Sequence, residues 1–198
     1  MISDKFVIFA ALLNLWGSLG YAYLTLQGRV KPNRVTFSLW ALAPLVAFGA
    51  QIGKGVGLQS LMTFMVGFGP LLVLIASFMN KKAYWRLKRF DYVCGALSLF
   101  GLGLWLITGE GNLAIAFAIL ADGLAALPTV YKSYIAPQTE NWLLYFLAVL
   151  SAGITLLTID KWTFAYWSFP AYILIICIII TALVKFELGK KVSIKITT

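Results

Sequence analysis

The chain has 198 residues, of which 61% are hydrophobic and only 12% are charged, and its mean hydropathy is +0.89. A soluble domain carries about 25% charged residues, so this composition indicates an integral membrane protein and leaves no room for a large soluble domain. The net charge of +9 does not indicate a nucleic-acid site, because the 16 basic residues are dispersed over short loops.

Seven long apolar runs, separated by short polar breaks, predict seven membrane-spanning helices. Each run is close to the ~20 residues that a helix needs to cross a hydrocarbon layer of about 30 Å. The N-terminal segment has no small-residue cleavage site before the second helix, so we expect a retained first helix and not a signal peptide. The predicted helices cover residues 6–26, 35–53, 58–79, 91–108, 112–134, 142–159 and 163–185.

The basic residues are distributed unequally between the two sides of the membrane. With seven spans, Lys5, Lys54 and Lys161 lie on one side, and the remainder of the 16 basic residues lie on the other. By the positive-inside rule, we expect a multi-pass protein of the cell membrane with its N-terminus outside and its C-terminus in the cytoplasm.

The first predicted helix carries a polar stripe. Asn14, Ser18, Tyr21 and Thr25 follow one another at spacings of three and four residues, which places them on one face of a helix. In a membrane this face must turn toward protein or water. Hydrogen bonding between helices and the lining of a cavity are both open interpretations.

Two sequence matches predict an internal repeat. The elbow around Pro32-Asn33 aligns without a gap with the elbow around Pro137-Gln138, and the Thr63-Phe64 and Pro70 pattern of the third helix recurs with the same spacing in the seventh. The predicted fold is therefore an all-α integral membrane protein of two parallel triple-helix bundles joined by a linker helix. Its parts are the first bundle (1–80), a basic loop and linker helix (81–110), the second bundle (111–186) and a basic cytoplasmic tail (187–198).

Asp122 is the acidic residue that lies well inside a predicted span, in the fifth helix. A buried carboxylate there costs several kcal/mol unless it is protonated, paired or in contact with water. We therefore expect it to bind a proton or a substrate. The structural alternative is a protonated carboxyl group that is hydrogen-bonded to a neighbouring helix, through Asn14 or Ser18.

Other polar and aromatic residues are candidates to line the same space. Thr129 shares a helix face with Asp122, and Asn141 begins the sixth helix. Tyr145 aligns with Trp40 of the first half, and this aromatic pair could stack on a ring-shaped solute or simply pack. Prolines inside helices remove a backbone hydrogen bond and predict kinks. The hinge candidates are Pro44, Pro70, Pro128 and Pro170.

The segment LPTVYKSYIAPQTEN, Leu127 to Asn141, resembles the PQ-loop signature of the SWEET and PQ-loop transporters. The shared features are Pro128-Thr129, Tyr131-Lys132 and Thr139-Glu140. This resemblance implies seven spans in a 3+1+3 arrangement with the N-terminus outside, flexing of the helix at Pro128, and a solute site between the two bundles.

The leading functional hypothesis is a transporter of a small polar solute, a sugar or an amino acid, that works by alternating access. Asp122 would bind a proton or a substrate amine, and proton coupling through it is an option. The alternative is a non-transporting receptor or sorting protein on the same fold. The expected partners are the solute and membrane lipid, without nucleic acid, and assembly into a homo-oligomer is left open.

Catalysis and cofactor binding are not expected. The chain has no histidine and no cluster of carboxylates for a metal, and its two cysteines, Cys94 and Cys177, lie in apolar runs as buried thiols. A retinal protein is disfavoured because lysines occur only at the two ends of the last predicted helix.

Overall fold

The computed structural model of the chain describes residues 2–83, 85–108 and 110–189, and for residues 101 and 104–108 it describes the backbone alone. Within these ranges the chain is helical and contains no strand. The last nine positions of the predicted tail, 190–198, lie outside the described residues. The helices are α1 (Phe6–Leu26), α2 (Arg34–Gly53), α3 (Ser60–Met79), α4 (Arg89–Thr108), α5 (Gly111–Ile135), a 3-10 turn (Pro137–Thr139), α6 (Trp142–Leu157) and α7 (Phe164–Lys185).

The seven predicted helices are confirmed, with ends that differ by two residues at most. Asparagine side chains fix two of the starts. Asn33 Oδ1 accepts hydrogen bonds from the amides of Val35 (3.1 Å) and Thr36 (3.3 Å) at the start of α2, and Asn141 Oδ1 accepts one from Leu143 (2.8 Å) at the start of α6. These bonds satisfy amides that have no partner within the helix.

The chain is a multi-pass membrane protein. Five helices, α1, α2, α3, α5 and α7, are long and apolar enough to cross a membrane, whereas α6 is apolar but has 16 residues. The burial pattern of α1 is that of a helix in lipid, with its polar face inward. Asn14, Ser18, Tyr21 and Thr25 are all buried, while Trp16 is 65% exposed on the outer surface.

The helices pack in two similar groups. Over the described residues, the backbone of α3 lies close to both α1 and α2, whose own backbones are not close to each other, and α7 is placed in the same way between α5 and α6. The two groups meet through α2 with α5 and through α1 with α6. The remaining helix, α4, packs on α5 and to a lesser extent on α2.

One end of the bundle, called the elbow end below, is held together by backbone hydrogen bonds between loops. The amide of Lys31 donates to the carbonyl of Thr139 (3.0 Å), and the amide of Trp85 donates to the carbonyl of Pro32 (3.1 Å). The connections that form this end are α1–α2 (27–33), α3–α4 (80–83 and 85–88) and α5–α6 (136–141).

The opposite end contains the N-terminal residues and the other connections. The amide of Ile2 donates to the carbonyl of Leu157 (3.1 Å), and Gln59 Nε2 donates to the carbonyl of Thr158 (3.4 Å). The opposite end is formed by the segment 2–5, the connections α2–α3 (54–59) and α6–α7 (158–163), and Glu110 of the α4–α5 connection, which lies 4.0 Å from Lys54.

Candidate functional site

A cavity of about 50 Å³ lies between the two groups of helices. It is bordered by α1, α2, α3, α5, α6 and α7. Asn14, Ser18, Trp40, Asp122 and Tyr145, all predicted from the sequence as candidate binding residues, line it together. The other lining residues are mainly apolar: Phe37, Val66, Pro70, Leu144, Ala148, Ile173, Ile176 and Cys177.

Asp122 is held in the cavity wall by neighbours on two other helices. Its side chain, in α5, is 2% exposed. Oδ2 accepts a hydrogen bond of 2.7 Å from the hydroxyl of Tyr172 in α7, and the indole Nε1 of Trp40 in α2 donates to the Asp122 backbone carbonyl at 3.3 Å. The other carboxyl oxygen, Oδ1, is buried and has no hydrogen-bond partner among the described residues.

This geometry gives Asp122 a different partner from those that the sequence indicated. The hydrogen bond comes from Tyr172, a residue that sequence reasoning did not single out, and not from Asn14 or Ser18. Tyr172 is one of several aromatic residues in the apolar seventh helix, and no periodic signal marks it as the one that faces α5. The carboxyl group is thus anchored through one oxygen, and the second oxygen remains available.

The polar stripe of α1 reaches the cavity where α3 comes close. Gly69 of α3 packs directly on Ser18, so that a Cβ atom added at Gly69 would overlap the Ser18 side chain and lie 3.6 Å from Asn14 Oδ1. Ser18 Oγ is fully buried and makes no hydrogen bond with any described residue. α1 therefore brings a second unpaired oxygen to the same cavity.

Aromatic rings form a continuous row beside the cavity. Tyr21 and Phe37 have ring centroids 5.4 Å apart, Phe37 and Trp40 are also 5.4 Å apart, and Trp40 and Tyr145 are 6.3 Å apart at an angle of 72°. The aligned residues Trp40 and Tyr145 therefore contact each other edge to face, an arrangement that aromatic pairs favour.

A buried ion pair lies next to the cavity at the elbow end. Lys132 Nζ lies 2.6 Å from Glu140 Oε1, and both side chains are completely buried. Glu140 Oε2 accepts hydrogen bonds from the hydroxyls of Tyr21 (2.7 Å) and Tyr145 (2.9 Å), and Lys132 also donates to the carbonyl of Lys31. These four side chains, Lys132, Glu140, Tyr21 and Tyr145, are called the elbow cluster.

The elbow cluster joins the two groups of helices. Tyr21 comes from α1, Lys132 from α5 and Tyr145 from α6, while Glu140 lies in the connection between α5 and α6. The Tyr145 side chain belongs both to the cluster and to the cavity lining. A change at Glu140 can therefore be transmitted directly to the wall of the cavity.

The other two predicted binding residues lie away from the cavity. Thr129 is buried in α5, one turn before Lys132, and its hydroxyl has no partner within the described ranges. Asn141 caps α6 at the elbow end.

The predicted hinge prolines lie inside helices, Pro44 in α2, Pro70 in α3, Pro128 in α5 and Pro170 in α7. Only Pro70 of these is among the residues that line the cavity. The other three are buried, and Cys94 and Cys177 are buried free thiols as predicted.

The cavity has the chemical properties of a small binding site, with one carboxyl group, that of Asp122, among the described residues that line it. A carboxyl group with one free oxygen can take up a proton or accept hydrogen bonds from a cation. The chain matches no family model, no curated protein and no solved structure.

Proposed function

We propose that the chain is a carrier that moves a small polar solute across the cell membrane by alternating access. The observation that supports this most directly is the cavity between the two helix groups, where Asp122 Oδ1 is buried without a partner. An unpaired carboxyl oxygen inside a membrane protein is costly, and such groups commonly mark proton or solute pathways.

The packing of the helices supports a two-repeat carrier. In each group the third helix lies between the other two, so α1, α2 and α3 would form the first bundle and α5, α6 and α7 the second. In this proposal all seven helices span the membrane and α4 is the linker. A single linker span gives the two bundles the same orientation, with the N-terminus outside.

The elbow cluster contains two of the residues that carry the resemblance to the SWEET and PQ-loop transporters, Lys132 and Glu140. These two residues both belong to the Leu127–Asn141 segment, and the 3-10 turn at Pro137–Thr139 returns the chain so that they form an ion pair. We include membership of that family in the proposal, with Pro128, three residues before the PQ-loop aromatic-basic pair Tyr131-Lys132, as a hinge.

Alternating access would consist of rocking one bundle against the other. Hydrogen bonds link the two groups at the elbow end and at the opposite end, so either end can open only when its own set of bonds breaks. Proline positions in α2, α3, α5 and α7 would allow the helices to bend. Asp122 would hold the proton or the solute while one end of the bundle closes and the other opens.

The test is uptake of labelled sugars, amino acids and amines into proteoliposomes, with and without an inward proton gradient. We expect uptake in the wild type and its loss in Asp122→Asn. Glu110→Gln is the matched control, because it removes a carboxylate that is exposed at the opposite end and should leave uptake unchanged.

The outcomes separate three cases. Gradient-driven uptake that Asp122→Asn abolishes supports a proton-coupled carrier. Uptake that is insensitive to both the gradient and the substitution supports a facilitator in which Asp122 is structural. A lack of uptake of every solute, in protein shown to be folded, contradicts the carrier and favours a receptor or sorting protein.

A further inference from the structure

The charge of the cavity restricts the class of solute. Asp122 is the only Asp, Glu, Lys or Arg among the described residues that line it. The nearest buried cation along α5, Lys132, is already paired with Glu140 at 2.6 Å and donates to the Lys31 carbonyl. The site therefore offers a negative group without a positive one, which favours a cationic solute.

The cavity contains unpaired oxygen atoms that can accept hydrogen bonds. Asp122 Oδ1 and Ser18 Oγ are both buried and have no partner in the described structure. Asn14 Oδ1 lies beside Ser18, as their common contact with Gly69 shows. An ammonium group carries three N–H donors and no acceptor, so it has one donor for each of these three oxygens. Hydrogen bonds between an ammonium and a carboxylate are also among the strongest in proteins.

The aromatic donors around the cavity are already used. The Tyr145 hydroxyl donates to Glu140 at 2.9 Å, the Trp40 indole N–H donates to the Asp122 carbonyl at 3.3 Å, and the Tyr172 hydroxyl donates to Asp122 Oδ2 at 2.7 Å. Ser18 and Asn14 also carry donors, but both are neutral. A sugar would bury many hydroxyls with few partners, and the carboxylate of an amino acid would find no cation and be repelled by Asp122. Both would pay the cost of unpaired buried polar groups.

The rest of the cavity wall is suited to the hydrocarbon part of a solute. The rings of Phe37, Trp40 and Tyr145 border the cavity, and aromatic faces attract cations and cover hydrocarbon. The cavity volume of about 50 Å³ is roughly a third of the ~150 Å³ of an apolar cavity that holds benzene. The conformation described here thus admits only a short chain of a few non-hydrogen atoms.

We propose that the cavity binds a small alkylamine that carries no carboxylate, with its ammonium group on Asp122 Oδ1, Ser18 and Asn14 and its hydrocarbon chain against Trp40 and Tyr145. This assignment names the solute class of the carrier and so rests on the proposed function. It also differs from that function in being testable by equilibrium binding, without any transport.

The experiment is isothermal titration of the purified full chain in lipid nanodiscs, with empty nanodiscs as the blank. The ligands are n-propylamine, n-propanol, which replaces the ammonium by a hydroxyl, β-alanine, which adds a carboxylate, and glucose. We expect n-propylamine to bind at least tenfold more tightly than each of the other three. Asp122→Asn should weaken n-propylamine at least tenfold and Ser18→Ala severalfold, whereas Glu110→Gln should leave it unchanged.

Several results would overturn the assignment. These are equal or tighter binding of β-alanine, glucose or n-propanol, no binding of n-propylamine, or n-propylamine binding that Asp122→Asn does not weaken. If Asp122→Asn does not fold, the affinities of the wild type for n-propylamine and n-propanol still test the assignment, because the two ligands differ only in the ammonium or hydroxyl group.

The result also separates this inference from the carrier proposal. Binding of n-propylamine by a protein that transports nothing into proteoliposomes would support the amine site and contradict the carrier. Transport of glucose or β-alanine without binding of n-propylamine would support the carrier and contradict the amine site.

Discussion

The two ends of the helix bundle are held closed by different chemistry. At the elbow end, the buried Glu140 carboxylate accepts from Lys132 at 2.6 Å, from Tyr21 at 2.7 Å and from Tyr145 at 2.9 Å. At the opposite end the ion pair between Lys54 and Glu110 is exposed, and the side-chain hydrogen bonds between the two helix groups in the described structure are neutral bonds to backbone carbonyls. They are Gln51 to Ala165 (3.0 Å), Gln59 to Thr158 (3.4 Å) and Tyr166 to Gly55 (3.0 Å).

This difference indicates that the two ends do not separate with equal ease. A neutral hydrogen bond contributes about 0.5–1.5 kcal/mol to stability. Opening of the elbow end would leave the Lys132–Glu140 pair intact, because both residues belong to the second group. It would break the hydrogen bond from Tyr21 to Glu140 and the one from Lys132 to the Lys31 carbonyl. A hydrogen bond that involves a charged group contributes about 1.5–3 kcal/mol, so a carrier built in this way would open more readily at the opposite end.

Glu140→Gln is expected to have the largest effect on stability. The substitution keeps the size of the side chain but leaves the ammonium group of Lys132 buried without a counter-charge. We expect a loss of about 3–5 kcal/mol in the free energy of unfolding. The measurement is denaturant unfolding in detergent micelles, followed by circular dichroism.

The control for Glu140→Gln is an ion pair at the opposite end. Lys54 and Glu110 lie 4.0 Å apart with side chains that are 38% and 62% exposed, so Glu110→Gln should cost less than about 1 kcal/mol. Lys132→Met combined with Glu140→Gln should restore part of the loss, because the buried charge is then gone. Equal losses in the free energy of unfolding for Glu140→Gln and Glu110→Gln would show that the buried ion pair at the elbow end is no stronger than the exposed one at the opposite end.

Asn33→Ala is expected to have the next largest effect, also at the elbow end. Asn33 is fully buried, its Oδ1 caps α2, and its Nδ2 donates to Asp91 Oδ1 at 2.5 Å. Loss of a cap costs about 1 kcal/mol and loss of a hydrogen bond to a carboxylate about 1.5–3 kcal/mol, so we expect a total near 2–4 kcal/mol. The same unfolding measurement applies.

Asn141→Ala provides the matched comparison in the second half of the chain. Asn141 caps α6 through Leu143 alone and is only partly buried, so its replacement should cost about 1 kcal/mol. If both asparagines gave the same loss, the Asn33–Asp91 bond would contribute nothing measurable.

The helices could be predicted from the sequence because a membrane makes their signals strong. A span needs about 20 apolar residues, and the backbone must satisfy its own hydrogen bonds. The polar stripe of α1 and the lone Asp122 were visible for the same reason, since polar groups are rare in such runs. The grouping of Asn14, Ser18 and Asp122 around one cavity follows from these two signals together.

The partners of these groups could not be predicted, because they depend on contacts between distant segments. Tyr172 lies in a helix with little polar patterning to orient it. Lys132 was counted among the loop charges that set topology, although it is buried at the end of α5 in an ion pair with Glu140. The position of Asn141 just before an apolar run was, in contrast, a readable sign of a helix cap.

Gln51→Leu is expected to have the smallest effect on stability and to show the behaviour of the opposite end. Gln51 is 1% exposed, its Nε2 donates to the Ala165 carbonyl at 3.0 Å, and its Oε1 is buried without a partner in the described structure. Leucine removes the hydrogen bond together with the unpaired acceptor, so the two contributions offset each other. The free energy of unfolding should therefore change by less than about 1 kcal/mol.

The same offset should govern opening of this end, because an open state exposes Gln51 to water as unfolding does. A net change below about 1 kcal/mol would alter the open population by less than about fivefold. Cys177, a buried thiol in the cavity wall, reports this opening through its rate of reaction with a maleimide in a Cys94→Ser background. Cys177→Ser gives the blank. A rate that rises more than about fivefold in Gln51→Leu would contradict the offset and would mean that the Gln51–Ala165 hydrogen bond holds the opposite end closed more strongly than the links at Gln59 and Tyr166.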